Sequence, residues 1–333
     1  MKVLLFFENQ KKMKQSGIGR ALTHQKEALS LAKIDYTLNY NDQFDIAHIN
    51  TLFFESYRVL KMCKKQGKKV IVHGHSTKED FKYSFRLWWL LAPLFNHLIL
   101  RMYRHADAII TPTLYSKSLI EHYKNVNCPV YAISNGIRLE EYIYNEDNAL
   151  SFDSYFNFKN CKIVICAGLY FDRKGILDFF EVAKKMPDVK FIWFGYLKPI
   201  MTQMKILKAI KHKPDNVFMP GYVDIKVLRG AFHRADAFLF LSKEENEGIA
   251  VLEALASNLV TIVRDIGVFK DWLIDGENCF KGNTINDFID KLNYVFSHDM
   301  TNIKKRAYQV VEDRTLDKIG NQLKEVYYKV YNE

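Results

Sequence analysis

The sequence predicts an α/β chain of two doubly wound domains facing each other across a cleft. Three observations predict it. The 333 residues exceed what one ordinary core accommodates. Short apolar runs alternate with amphipathic segments, the pattern of parallel sheets flanked by helices. That alternation stops at residues 140–160 and then starts again. With 48% apolar and 26% charged residues, the balance is globular.

The elements follow in order. Residues 2–7 (KVLLFF) form the first strand; the stretch MKVLLFFENQ lacks the long apolar region and small-residue cleavage site of a signal peptide. Residues 12–29 (KMKQSGIGRALTHQKEAL) carry Gly17 and Gly19 in a loop before a helix, where they allow close backbone approach to a ligand. A dinucleotide fingerprint would place its third glycine at Leu22, so no nicotinamide or flavin cofactor is expected. Runs at 45–49, 69–74, 107–111 and 129–133 complete the first sheet, with amphipathic segments starting at 17–33 and 53–65 between them. The stretch 140–160 is polar, rich in Asn and without helical periodicity, and reads as a linker. Runs at 162–168, 189–195, 216–221, 236–242 and 258–263 build the second sheet. Ligands of such folds sit at the carboxyl ends of the strands, which makes the cleft the expected site.

Charge is unevenly placed. Residues 1–145 carry 21 Lys/Arg against 12 Asp/Glu, whereas 146–333 carry 27 against 26. The basic first half calls for an anionic partner surface. The five cysteines are scattered and never C-x-x-C, so neither a disulfide framework nor a zinc site is expected and reduced, cytoplasmic cysteines are. No uncharged apolar run is long enough to span a bilayer.

Two constellations carry chemistry. In KEENEGIAVLEALA, Glu245 and Glu253 stand eight positions apart around Gly248, which starts a helix. Eight helical residues span about 12 Å. The carboxylates therefore share no proton; they either touch opposite ends of one extended ligand or are surface charge. In AGLYFDRKGI, Arg173 and Lys174 precede Gly175 and a helix. Cations there oppose the helix dipole unless a phosphate sits at that end, the alternative being a charged surface loop.

These motifs, with the NG of ISNGI and the N-terminal glycine loop, occur together and in order, and the set resembles the retaining glycosyltransferases of family 4. The resemblance implies the GT-B fold of two Rossmann-like domains. They would be an acceptor and membrane-binding domain at 1–145 and a nucleotide-sugar domain at 160–315, with a C-terminal helix, 316–333, packing back toward the first. It implies that Glu253 binds the ribose, Glu245 the donor sugar, and Lys174 and Arg173 the departing diphosphate. Gly17, Gly19, Gly248 and Ile249 join the donor contacts, and His75 or His73 lies near the reacting sugar. It also implies retention without a metal or other cofactor; no D-x-D motif is present. The sequence departs from the family at Glu247, where an aromatic is usual, at Leu169, where an arginine is common, and at Cys279, where DGENC replaces D-G-x-x-G.

For the acceptor, residues 78–107 combine Trp88 and Trp89 with Arg86, Arg101 and Arg104, and Lys64 and Lys65 lie in the same domain. Aromatics with cations are the composition of a membrane interface. A basic amphipathic helix at 198–213 adds a further patch. HGHSTKEDF and GLYFDRKGI also look like the bacterial diacylglycerol glycosyltransferases. They imply transfer of glucose or galactose from a UDP-hexose to diacylglycerol or monoglucosyldiacylglycerol at the cytoplasmic face of an anionic membrane. The alternative is a glycosyltransferase of polysaccharide or capsule synthesis with a polyprenyl-linked or soluble acceptor. Nucleic acid is not expected as a partner, because no recognised binding motif accompanies the lysines.

Overall fold

The computed structural model describes residues 1–8 and 17–333. These form two compact units. The first comprises Met1–Phe81, Trp89–Arg138 and Asp313–Glu333; the second comprises Lys82–Trp88 and Leu139–Glu312.

The sheet of the first unit runs β2-β1-β3-β4-β5-β6, with β1 at Lys2–Phe6, β2 at Asp35–Thr37, β3 at Ile46–Ile49, β4 at Lys69–His73, β5 at Ala108–Thr111 and β6 at Val130–Ala132. That of the second unit runs β12-β11-β10-β7-β8-β9, with β7 at Ile163–Ala167, β8 at Lys190–Phe194, β9 at Val217–Gly221, β10 at Ala237–Phe240, β11 at Thr261–Arg264 and β12 at Phe280–Gly282. All ten strand pairings are parallel. The three-residue edge strands β2 and β12 escape the sequence reading because they are too short to form an apolar run.

Alternation along β1 explains why an unbroken apolar run suits it. Val3 and Leu5 enter one core, while Leu4 and Phe6 enter the core on the opposite face. The first of these cores is completed by the helix Leu316–Asn332, through Leu316, Ile319, Leu323, Val326, Tyr327 and Val330. This helix presses on the helix Gly17–Leu31 so closely that a Cβ at Gly320 would lie 2.1 Å from the Ala28 carbonyl oxygen. Gly320→Ala is therefore expected to destabilise the protein by about 2 kcal/mol, within the usual range for overpacking, as read from urea unfolding.

Three features differ from the sequence-based expectation. The units divide after Arg138, and the stretch read as a linker contains the helix Glu146–Phe156. Only Ala149 and Phe152 of that helix are buried, too sparse a stripe to show as periodicity. Its signals are local: Asn145 caps the first turn, Glu146 and Asp147 favour the positive end of the dipole, and Asn157 ends it in the left-handed region. At 198–213 the helix covers only Met204–Lys211; residues before it form turns. No helix among the described residues is long and apolar enough to cross a membrane.

Candidate functional site

In the second sheet the strand order reverses between β7 and β10, so their carboxyl ends open side by side. Each feeds a loop that ends in a glycine and a helix. After β7 come the short 3-10 turn Asp172–Lys174, Gly175 and the helix Ile176–Lys185. After β10 come Ser242, the loop 243–247, Gly248 and the helix Ile249–Ala256. Both glycines have left-handed backbones, φ 76° and 89°, which turn the chain sharply into its helix. The helix beginning at Ile249 has no acidic residue in its first turn.

This topology brings the two sequence motifs into contact. The Lys174 ammonium binds Glu245 Oε1, and Arg173 Nη1 lies 3.5 Å from the same oxygen. Ser242 donates to it at 2.6 Å. Arg173 Nη1 also donates to the Glu244 carbonyl at 2.9 Å. Burial alone would raise the Glu245 pKa. The nearby charges of Lys174 and Arg173, with hydrogen bonds from Lys174 and Ser242, outweigh it and hold the carboxyl below its usual range. Glu245 is therefore an ionised, buried carboxylate facing two cations.

The reading of KEENE as solvated surface charge is excluded. Glu245 is 7% exposed, Glu247 3% and Glu253 2%. A buried carboxylate is costly unless compensated, so this loop is a built feature. The fixed orientation extends to Gly168, whose carbonyl accepts from the Trp193 indole at 2.9 Å. Ser242 was missed as a contributor, although the S-x-x-E spacing of SKEE carries its signal.

The structure moves Gly17 and Gly19 out of the expected loop. Both lie within the first turn of the helix Gly17–Leu31, Gly17 exposed and Gly19 buried. Residues 12–16 of that motif lie outside the described residues. Among the described residues, no cluster of three or more His, Cys, Asp or Glu side chains is placed to hold a metal ion.

In the first unit, His73 closes β4 and His75 follows it. Their rings stack at 3.8 Å, and His73 stacks in turn on His48 of β3 at 5.2 Å. His48 Nδ1 lies 2.7 Å from the Tyr327 hydroxyl, and its Nε2 lies 3.1 Å from His73 Nδ1. His75 Nε2 lies 2.9 Å from Asn50 Oδ1. Burial, with His75 adding a smaller effect, pushes the His48 pKa down to about 3. Burial, then His75 and His48, also hold His73 well below the ordinary histidine value. Sequence reasoning singled out His73 and His75 but not His48, Tyr327 or Gln25, whose Nε2 lies 3.1 Å from His48 Nδ1; the fold gathers these from three distant segments.

The helix Trp88–Tyr103 is divided along its length. Its last turn is core, with Ile99, Met102 and Tyr103 buried. Its start is bare: Trp89 and Leu90 are each 61% exposed and Leu94 57%, with Leu87 and Leu91 also exposed. Positions 90, 91 and 94 fall on one helical face, and Leu87 directly precedes the helix. Arg86 and Lys65 are exposed. Three other cations expected at a lipid surface have partners within the chain. Lys64 pairs with Asp107 at 2.7 Å, Arg101 lies over the Tyr57 ring at 3.5 Å, and Arg104 donates to the Lys124 carbonyl at 2.9 Å.

Known proteins share this sequence pattern. A family model described as Glycosyl transferases group 1 matches residues 147–310, and one described as Glycosyltransferase Family 4 matches residues 18–141. The chain is 47% identical over 331 residues to a processive diacylglycerol alpha-glucosyltransferase of Acholeplasma laidlawii, covering 99% of this chain and 98% of that one. It is 24% identical over 265 residues to an alpha-galactosylglucosyldiacylglycerol synthase of Streptococcus pneumoniae (strain ATCC BAA-255 / R6), covering 77% and 69%. Among solved structures, Anabaena HepE in complex with UDP-glucose matches with a TM-score of 0.78 at 14% identity, over 99% of this chain and 100% of that one. The two six-stranded parallel sheets with flanking helices are thus the fold of a known structural class.

Proposed function

Because the chain belongs to the family 4 glycosyltransferases, with its 47% identity to a member over 99% of its length, we propose that it moves a hexose from a UDP-sugar to a diacylglycerol-type lipid. The acceptor is diacylglycerol or monoglucosyldiacylglycerol at an anionic membrane surface, and the sugar keeps its anomeric configuration. The observation that carries this reading is the cluster of Lys174, Arg173 and Glu245 at the strand-order reversal, beside the helix that begins after Gly248.

The chemistry follows from the placement of charge. The bond between the anomeric carbon and the diphosphate breaks, and negative charge grows on the departing phosphate oxygens. Lys174 and Arg173 stabilise that charge from fixed positions, which lowers the barrier without solvent reorganisation. No divalent ion is needed for this role. Glu253 accepts from the ribose hydroxyls and Glu245 from the hexose hydroxyls, so the donor lies extended along the two loops. The lipid hydroxyl adds to the face that the diphosphate leaves, and its proton passes to a diphosphate oxygen. Retention results from that same-face exchange.

The bare helix start supports the lipid acceptor. Trp89, Leu90, Leu91 and Leu94 form an uncovered apolar ridge, with Arg86 and Lys65 exposed in the same stretch of chain or domain. An apolar face with cations suits the interface of an anionic bilayer. The enzyme then works as a peripheral protein on the cytoplasmic face. The test is transfer from radiolabelled UDP-glucose and UDP-galactose to diacylglycerol, monoglucosyldiacylglycerol or a polyprenyl phosphate in anionic vesicles, with co-flotation measured in parallel. Label in the diacylglycerol lipids is expected, and the Trp89→Ser/Leu90→Ser variant should lose about tenfold or more in vesicle partitioning. Label only in the polyprenyl lipid, or transfer indifferent to vesicles, overturns the acceptor.

A further inference from the structure

Seven residues of the second unit come from the middle of the first half of the chain. Lys82–Trp88 belongs with Leu139–Glu312 by its contacts, although the segments on either side belong to the first unit. What holds it is specific. Ser84, only 3% exposed, accepts from Arg173 Nε at 2.8 Å. The Tyr83 carbonyl accepts from Gln203 Nε2 at 3.0 Å and faces the Arg173 amide at 3.4 Å. Phe85 meets Phe171 edge-on at 4.9 Å, and the Arg86 amide donates to the Met201 carbonyl at 2.8 Å.

The backbone is bent at both ends of this insert. Tyr83 has φ 59° and Leu87 φ 58°, left-handed values that side chains with a Cβ rarely adopt. Such outliers persist only where surrounding contacts over-determine them, and they mark functional segments. Two of these contacts reach Arg173, from the Tyr83 carbonyl to its amide and from Ser84 to its guanidinium. Arg173 offers Nη1 to the Glu244 carbonyl and to Glu245, and Nε to Ser84. A guanidinium gripped at both Nη1 and Nε has its plane fixed, whereas Nη1 alone leaves it free to swing.

We propose that Ser84 is a positioning residue of the donor site, fixing the Arg173 guanidinium for the diphosphate, and that Tyr83–Arg86 thereby couples the donor site to the lipid-facing ridge. The exposed Leu87 lies three residues after Ser84 and directly before the helix whose start carries the bare ridge. Seating the ridge on a membrane holds the backbone that carries Ser84, so donor-site order and lipid contact reinforce each other. This rests on the donor and acceptor assigned above.

The experiment compares the full-length parent with Ser84→Ala, Ser84→Thr and Gln203→Ala. Three readings are taken: kcat and KM for UDP-hexose with lipid acceptor in anionic vesicles, vesicle co-flotation, and calorimetric UDP affinity without acceptor, with and without vesicles. Ser84→Ala is expected to lower kcat about tenfold, to weaken UDP binding threefold or more, and to lose the tightening of UDP binding that vesicles give the parent. Its co-flotation stays at the parental level. Ser84→Thr retains more than half of kcat, because its hydroxyl can still accept. Gln203→Ala, at a half-buried side chain outside the apolar core, shows the same loss to a smaller degree and keeps the test open if Ser84→Ala does not fold. Parental kcat and UDP affinity in both Ser84→Ala and Gln203→Ala overturn the positioning role. So does a Ser84→Thr variant as impaired as Ser84→Ala, since that marks packing as the cause. A parent that binds UDP but labels no diacylglycerol lipid instead overturns the acceptor assignment, and the UDP readings then decide Ser84 alone.

Discussion

Lys174→Ala is expected to lower kcat by about two to three orders of magnitude, the scale seen when a fixed donor to transition-state charge is removed. The donor KM should change far less. In the proposed function Lys174 meets charge that grows only as the diphosphate departs, and an interaction made mainly in the transition state shows in kcat. Glu253→Gln should show the opposite split, because ribose hydroxyls keep their charge throughout and weaker binding raises KM. Lys174→Arg should not restore full turnover: a planar fork cannot reproduce a point charge against Glu245 in a buried setting. Steady-state kinetics with saturating lipid acceptor check all three, and a Lys174→Ala variant within fivefold of parental kcat would falsify the assignment.

The second large effect is on stability against pH. His48 is fully buried and His73 nearly so, and burial holds both neutral with folded pKa values far below the ordinary 6.5. The unfolded chain binds protons at these positions once the pH falls below about 6.5, while the folded chain does not. Stability from this pair is complete above that value and is lost as pH falls toward the depressed folded pKa values. At about 1.4 kcal/mol per proton per pH unit, these two histidines take away about 2–3 kcal/mol between pH 6 and pH 5, and His75, pushed down to about 3 by burial, adds about 1 kcal/mol. Glu245 does not act in this window. Its folded pKa lies below the ordinary carboxyl value of 4.5, so its contribution is present above 4.5 and is lost only as pH falls through the depressed folded value. Urea unfolding from pH 7 to pH 5 should show the slope, and His48→Gln should reduce it by about a third. A flat profile over that range would show that these rings titrate normally in the fold.

Much of the architecture was legible because it rests on local pattern. Unbroken apolar runs such as KVLLFF and DAFLFLS require burial on both faces, and only a parallel sheet covered by helices supplies it. The two loops of the candidate site were legible for a related reason: a glycine followed by a helix after a strand places Lys174 and Glu245 at strand ends whatever the rest does. What was not legible depends on distance along the chain. Ser84 reaches Arg173 across 89 positions, and His48 reaches Tyr327 across 279. Neither a lone serine in KYSFR nor a histidine inside DIAHI carries a periodicity or spacing that announces its partner. The helix Glu146–Phe156 hid for the opposite reason, since it buries too little to show an apolar stripe and relies on its caps.

The closing helix also sets an order of events during synthesis. A ribosome makes β1 long before the helix Leu316–Asn332, yet Val3 and Leu5 share their core with Leu323 and Tyr327. One face of that sheet, covered in part by the helix Gly17–Leu31, therefore lacks the rest of its cover until the helix Leu316–Asn332 has been made. The second unit, whose continuous part ends at Glu312, has all its residues available sooner. The half synthesised first is thus the half completed last, and in the interval its uncovered strands are the nascent chain's stickiest surface.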